Sequence, residues 1–233
     1  LFLNNRQSEA EKIIRSLYST KEAEGLILDI TKDNQNITSS ESIFNKKYSF
    51  IVMLAFLIAA FNQLSGINAF LYYAPRIFEE AGLGESIALL NSVGIGLTNV
   101  IFTYVGINLI DRLGRRTLMY IGSFGYIVSL SLISISFFLE WEGIFLPLFF
   151  FLFIASHAIG QGAIIWVYIS EIFPNNIRSY GQSFGVSTHW ILAAIIPSFI
   201  PFLFGFIGPG FVFSFFALMM VFQLLFVHFI MPE

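Results

Sequence analysis

The chain has 233 residues, 56% of them hydrophobic and 12% charged, with a mean hydropathy of +0.77 and a formal charge of −3. A soluble domain carries about 25% charged residues, and no soluble core of this size hides 29 phenylalanines, so a membrane protein is expected. The small net charge argues against a nucleic-acid binder, and the lack of cysteine excludes a disulfide framework and thiolate metal sites.

Residues 1–47 differ in kind from the rest. In RQSEAEKIIRSLYSTKEAEG (6–25), Ile13, Ile14 and Leu17 form one stripe among charges, the pattern of an amphipathic surface helix. No leader-peptide pattern is visible ahead of it. DNQNITSSES (33–42) reads as a polar linker. Asn36-Ile37-Thr38 fits a glycosylation acceptor, but it falls on the side that the charges below assign to the cytosol.

From Tyr48 onward six apolar segments are predicted, at 48–73, 86–110, 117–139, 144–170, 180–204 and 208–231. Each is close to or above the roughly 20 residues that cross a hydrocarbon core. Eleven of the twelve Lys and Arg residues fall on one side of this arrangement, including Lys46, Lys47, Arg112, Arg115, Arg116 and Arg178; only Arg76 falls on the other. By the positive-inside rule both termini are expected in the cytoplasm, with the bundle spanning the cell membrane many times.

Polar groups inside such spans are costly unless they pair or line a cavity. The first span contains FNQLSGINAFLYY (61–73). On an ideal helix Gln63 and Asn68 stand about 140° apart, so a straight helix would aim them at different neighbours. Gly66 and Pro75 would let the segment bend and turn both amides, with Asn62, toward one polar site. Asn99 lies midway along the second span and reads equally as helix–helix glue or as a ligand contact.

In the fourth span His157, Gln161, Ile164 and Tyr168 share a helix face. Trp166 would lie nearly opposite Gln161 unless Gly160 and Gly162 loosen the backbone. Its indole offers an N–H donor and a broad apolar face, a combination that suits a sugar ring; the alternative is a bilayer anchor, for which it sits deep. His189, mid-span beside Trp190, reads as a hydrogen-bonded helix contact or as a proton carrier. No His/Asp/Glu cluster has metal-ligand spacing, so neither metal nor cofactor is expected. At the helix ends, Asp111, Arg112, Arg115 and Arg116 face Glu171 and Arg178. Glu171 sits in the last turn of a span, where an Arg from DRLGRR (111–116) could pair with it and form a gate that breaks in another conformation.

NQLSGINAFLYY, DRLGRRTL and SEIFPNNIRSYGQS, in that order, closely resemble the sugar porter family of the major facilitator superfamily. The resemblance covers essentially all of 48–231. It implies an all-α membrane protein of major facilitator fold, with residues 48–233 as its C-terminal six-transmembrane-helix bundle and 1–47 as the end of a cytoplasmic helical segment. By the same resemblance Gln63, Asn68 and Asn99 bond sugar hydroxyls, Trp166 packs under the sugar, Tyr72 and Tyr73 form an outer gate, and Asp111, Arg112, Arg115, Arg116, Glu171 and Arg178 form an inner charge network. Three departures stand out. Asn62 replaces a glutamine with a shorter amide, and Gln161 stands where the family has a helix-breaking proline, which makes it an extra candidate contact. His189 occupies a position where relatives carry an amide.

A monosaccharide or polyol transporter working by alternating access is therefore expected, as proton symporter or uniporter, with an N-terminal six-helix half, the lipid bilayer and a sugar as partners. No spanning segment carries an Asp or Glu near its middle, so a proton would need the other half or a histidine. A sugar sensor on the same fold is the competing reading. No nucleophile–base pair argues for an enzyme, and no charged ring for a channel.

Overall fold

The computed structural model describes residues 7–36, 42–80, 82, 84–141 and 145–232, and every regular element among them is helical. Where one amphipathic helix is predicted over 6–25, two form: α1 (Gln7–Leu17) and α2 (Thr20–Asn36). The division falls at Ser19, whose backbone N–H and hydroxyl both donate to Glu22 Oε2, at 3.3 and 2.7 Å. That is the Ser-x-x-Glu signal for a helix start. α2 takes in residues 33–36 of the expected linker; residues 37–41, and with them most of the Asn36-Ile37-Thr38 tripeptide, lie outside the described residues.

Six helical stretches then follow that are long and apolar enough to cross a membrane, close to the six predicted. The first comprises one 3-10 turn (Lys46–Tyr48), α3 (Ser49–Leu64) and α4 (Ile67–Glu80). The second and third are α5 (Glu85–Leu113) and α6 (Arg115–Phe138), joined at Gly114, whose φ of +78° makes a one-residue turn. The fourth is α7 (Phe145–His157), a π-helical turn (Ala158–Gly162) and α8 (Ala163–Ile172). The fifth and sixth are α9 (Arg178–Ile207) and α10 (Pro209–Phe229).

Polar contacts show which ends meet. Arg115 bonds Glu171, Asn176 Nδ2 donates to the Tyr48 hydroxyl at 3.0 Å, and Arg116 donates to the carbonyls of Val227 at 3.1 Å and His228 at 2.6 Å. The start of α3, the turns before α6 and α9 and the end of α10 therefore lie together, and Arg116 satisfies carbonyls that the end of α10 would otherwise leave unpaired.

The interior has two apolar clusters. One gathers Phe70, Phe78, Phe150 and Phe213, with the Phe70 and Phe150 rings stacked at 4.1 Å. The other, toward the charged end, gathers Leu54, Ile58, Ile164, Ile169 and Phe226. On five of the six spans the positions between the two clusters include buried polar residues: Asn62, Gln63 and Ser65 on the first, Ser123 on α6, Gln161 in the π turn, His189 on α9 and Gln223 on α10. A polar belt thus crosses the bundle between the two apolar clusters. α5 and α9 bury the least of themselves.

Candidate binding site

The belt divides into two hydrogen-bonded groups. The first is built on the break between α3 and α4. Gly66 has φ +80°, and a Cβ there would run into the Phe216 ring. Only glycine meets both conditions without strain. Ser65 Oγ donates to the Asn62 carbonyl at 2.6 Å and accepts from Ile67 N–H at 3.3 Å, bridging the break. The bend falls at Ser65–Gly66, while Pro75 stays inside α4.

The break turns the two amides toward each other. Asn68 Nδ2 donates to Gln63 Oε1 at 2.9 Å, and Gln63 Nε2 donates to Asn62 Oδ1 at 3.0 Å. Gln63 Nε2 also lies 3.1 Å from His189 Nδ1 and 3.2 Å from its Nε2. The His189 ring stands 4.8 Å from the Trp166 ring and 5.3 Å from that of Trp190, centre to centre, inclined at 61° and 84°. Gln63 is 1% exposed whereas Trp166 is 41% exposed. The amides are therefore set in the wall, and the indole stands on the open side. Beside them Tyr72, Tyr73, Trp190, Ala193 and Ser198 line a cleft of about 360 Å³, within the range of small-molecule pockets.

The second group is built around Gln161. Gln161 is 0% exposed and sits in the π turn at 158–162. Its amide Nε2 donates to Gln223 Oε1, and its Oε1 accepts from the Tyr126 hydroxyl at 3.4 Å. Gln223 Nε2 donates in turn to Ser123 Oγ at 2.7 Å, and Tyr126 also bonds His157 Nδ1. Gln161 thus ties α6, α10 and the π turn together and is not hydrogen-bonded to Gln63 or His189. Tyr168, on the face predicted with it, is buried in the apolar cluster, and its hydroxyl has no partner among the described residues. Gln223, Ser123 and Tyr126 were not predicted. The available signal was a lone amide in the apolar run VFQLLF (221–226).

Asn99 is half-buried on α5 and, among the described residues, makes no hydrogen bond with the Gln63 group. Of the expected charge network, one ion pair forms among the described residues. Arg115 Nε and Nη2 donate to Glu171 Oε2 and Oε1 at 3.1 and 2.8 Å, a bidentate geometry. Arg116 serves the end of α10 instead, and Arg178 Nε donates to the Phe173 carbonyl at 3.1 Å. Asp111 and Arg112 are exposed and, among the described residues, join no ion pair. No group of three His, Asp or Glu residues among those described could hold a metal.

A family model described as "Sugar (and other) transporter" matches residues 1–233. An arabinose-proton symporter of Bacillus subtilis (strain 168) is 34% identical over 202 residues, 85% of this chain and 43% of that protein. A glucose facilitated diffusion protein of Zymomonas mobilis is 33% identical over 202 residues, 86% of this chain and 42% of that protein. The chain superposes with a TM-score of 0.85 and 27% identity on a proton:xylose symporter of the major facilitator superfamily bound to 6-bromo-6-deoxy-D-glucose, covering 99% of this chain and 50% of that one. The chain therefore spans about half the length of the relatives it matches.

Proposed function

The chain belongs to the sugar (and other) transporter family and carries a six-helix membrane bundle of major facilitator fold; on that basis we propose that it forms the C-terminal half of a carrier for a monosaccharide or a related polyol. The other half of such a carrier is a second six-helix bundle. The sugar binds between the two, and rocking exposes it to each side of the cell membrane in turn. Both termini are cytoplasmic in this reading, which rests on the one-sided Lys and Arg distribution.

The observation that carries the proposal is the break at Gly66, which brings Gln63 and Asn68 within 2.9 Å of each other in the polar belt. Amides present both a donor and an acceptor, and so do sugar hydroxyls. Gln63, Asn68 and Asn62 bond the hydroxyl edge, Trp166 offers its ring to the C–H face, and His189 joins the donor set. Asn99 contributes from α5. Tyr72 and Tyr73, which line the cleft, close it from outside. Gln161 supports the site from behind. The Arg115–Glu171 pair holds the charged end closed in one conformation and parts in the other.

The relatives include both an arabinose-proton symporter and a glucose facilitated diffusion protein, so pentoses and hexoses are the substrates to try, with and without a proton gradient. The test is uptake of radiolabelled arabinose, xylose, glucose and inositol into proteoliposomes by the whole transporter, beside a Gln63→Ala variant. Saturable uptake of one sugar, reduced at least about tenfold in the variant, supports the reading. Uptake unchanged in the variant, or no uptake of any sugar, overturns it.

A further inference from the structure

His189 is the one group in this site whose hydrogen-bonding character changes with protonation. Gln63 Nε2 is 3.1 Å from its Nδ1 and 3.2 Å from its Nε2, so the amide donor faces the ring edge between the two nitrogens. A neutral imidazole leaves one nitrogen unprotonated in either tautomer. Both tautomers therefore offer Gln63 an acceptor. The rest of the Gln63 amide is committed, to Asn68 through Oε1 and to Asn62 through Nε2. The orientation of the amides at 62, 63 and 68 thus depends on a lone pair from His189.

A doubly protonated ring has two donors and no acceptor. Gln63 must then turn its oxygen to the ring and to Asn62, which sends its NH₂ toward Asn68, and both asparagines must turn in response. An amide flip exchanges oxygen for NH₂ in nearly the same volume, so these are two settings of one site rather than two shapes. In the second setting one ring N–H donates to Gln63 Oε1, and the other is a donor for a sugar hydroxyl oxygen.

The surroundings of the ring leave it as the responsive group. Facing it are Gln63 from α3, which also bonds Asn62, Trp166 from α8 and Trp190 beside it on α9. His157, at the end of α7, is within electrostatic reach but is bonded to Tyr126. Tyr72 and Tyr73 of α4 line the cleft that Trp190 borders. The charged residues of the packed elements, Arg76 and Glu79 on α4, Glu171 on α8 and Arg178 on α9, sit at helix ends, as does His228 on α10.

We propose that His189 is the proton-binding group of the sugar site: its protonation turns the Gln63 and Asn68 amides and creates a donor that the sugar satisfies, so proton and sugar bind each other's state more tightly. The proposal rests on the reading of this cleft as a sugar site.

The test uses the whole transporter and two readouts. Equilibrium binding of arabinose, xylose and glucose is measured at about pH 5.5 and about pH 8, either side of the imidazole range near ~6.5, for the native protein, His189→Gln and His157→Gln. Tryptophan fluorescence is titrated over the same range without sugar, because Trp166 and Trp190 flank the ring. The expected result is sugar affinity about fivefold or more tighter at the acid pH, retained in His157→Gln and absent in His189→Gln. A fluorescence change of histidine midpoint should likewise vanish in His189→Gln. A pH dependence that survives in His189→Gln, or a native protein flat by both readouts, overturns the proposal. If none of the sugars binds, the sugar-site reading fails by itself. The fluorescence titration then still decides the proton site: a histidine-like change lost in His189→Gln supports it, and a flat signal overturns it.

Discussion

Arg115, at the start of α6, and Glu171, in the last turn of α8, are joined by two parallel hydrogen bonds of 3.1 and 2.8 Å. The two side chains are 30% and 49% exposed, so solvent screens the pair and its contribution to stability is about 0–1 kcal/mol. Its use is in fixing how the helix ends sit. Neutralising it should therefore change conformation more than stability. With the chain free of cysteine, a cysteine placed at Ser170 reports this directly. Labelling of that cysteine should be several-fold faster in Glu171→Gln, with a melting temperature close to the parent's, and should return toward the parent rate in the charge-swapped Arg115→Glu, Glu171→Arg protein. Equal labelling rates in all three would contradict the gate.

The Gln161–Gln223–Ser123 chain is buried, and removing one member leaves its neighbour unpaired. Gln223→Leu should destabilise the protein by about 1–3 kcal/mol, the cost of an unsatisfied buried polar group. Gln161→Leu should cost a similar amount. The double variant should cost clearly less than their sum, since it removes both halves of the bond. Thermal or denaturant unfolding in detergent measures the cycle, and strict additivity would show that the two amides are not coupled.

Gly122 on α6 and Gly160 in the π turn touch backbone to backbone. A Cβ on either would lie 2.8 Å from the Cα of the other, and backbone cannot move aside as a side chain can. Gly122→Ala should therefore cost about 1–3 kcal/mol by overpacking. Gly96→Ala is the contrast, because nothing lies within 4 Å of a Cβ built there. It should leave the unfolding midpoint unchanged or raise it slightly, since alanine is the better helix former. A comparable loss in both variants would refute the close approach.

At the start of α2 the Ser19 bonds hold the Glu22 carboxyl below its ordinary titration range, the side-chain bond being the larger cause. A group whose folded value is depressed stabilises the helix above its unfolded value and loses that contribution as pH falls through the folded one. Helicity of the 7–36 segment should thus decrease on acidification through the carboxylate range. Ser19→Ala should weaken the helix at neutral pH and shrink this acid-dependent step. Circular dichroism against pH for the two proteins checks it.

The break between α3 and α4 is legible in the sequence, since a glycine among paired amides has few other reasons to occupy an apolar span. The partner for Glu171 is legible too, because an acid in a last turn beside a basic loop leaves few choices. Which of four nearby cations takes it is not, since that depends on the carbonyls exposed at the end of α10, which claim Arg116. The partner of Gln161 is not legible either. Its spacing puts it on a face with His157, and Tyr126 bonds both, but the bond to Gln223, 62 residues away on α10, is one that helical periodicity carries no information about. The break at Ser19 is signalled by Ser-x-x-Glu, a pattern that the hydrophobic stripe over 6–25 overrides when only periodicity is counted.

The central claim is that the amides gathered at Gly66 bind a sugar. The most direct measurement is equilibrium binding of arabinose, xylose and glucose to the purified whole transporter, native and Gln63→Ala, at one pH. Saturable binding of at least one of the three is expected, weakened about fivefold or more in the variant, as loss of a hydrogen-bonded group worth about 1–3 kcal/mol requires. Binding of equal affinity in both proteins would place the sugar elsewhere and contradict the account.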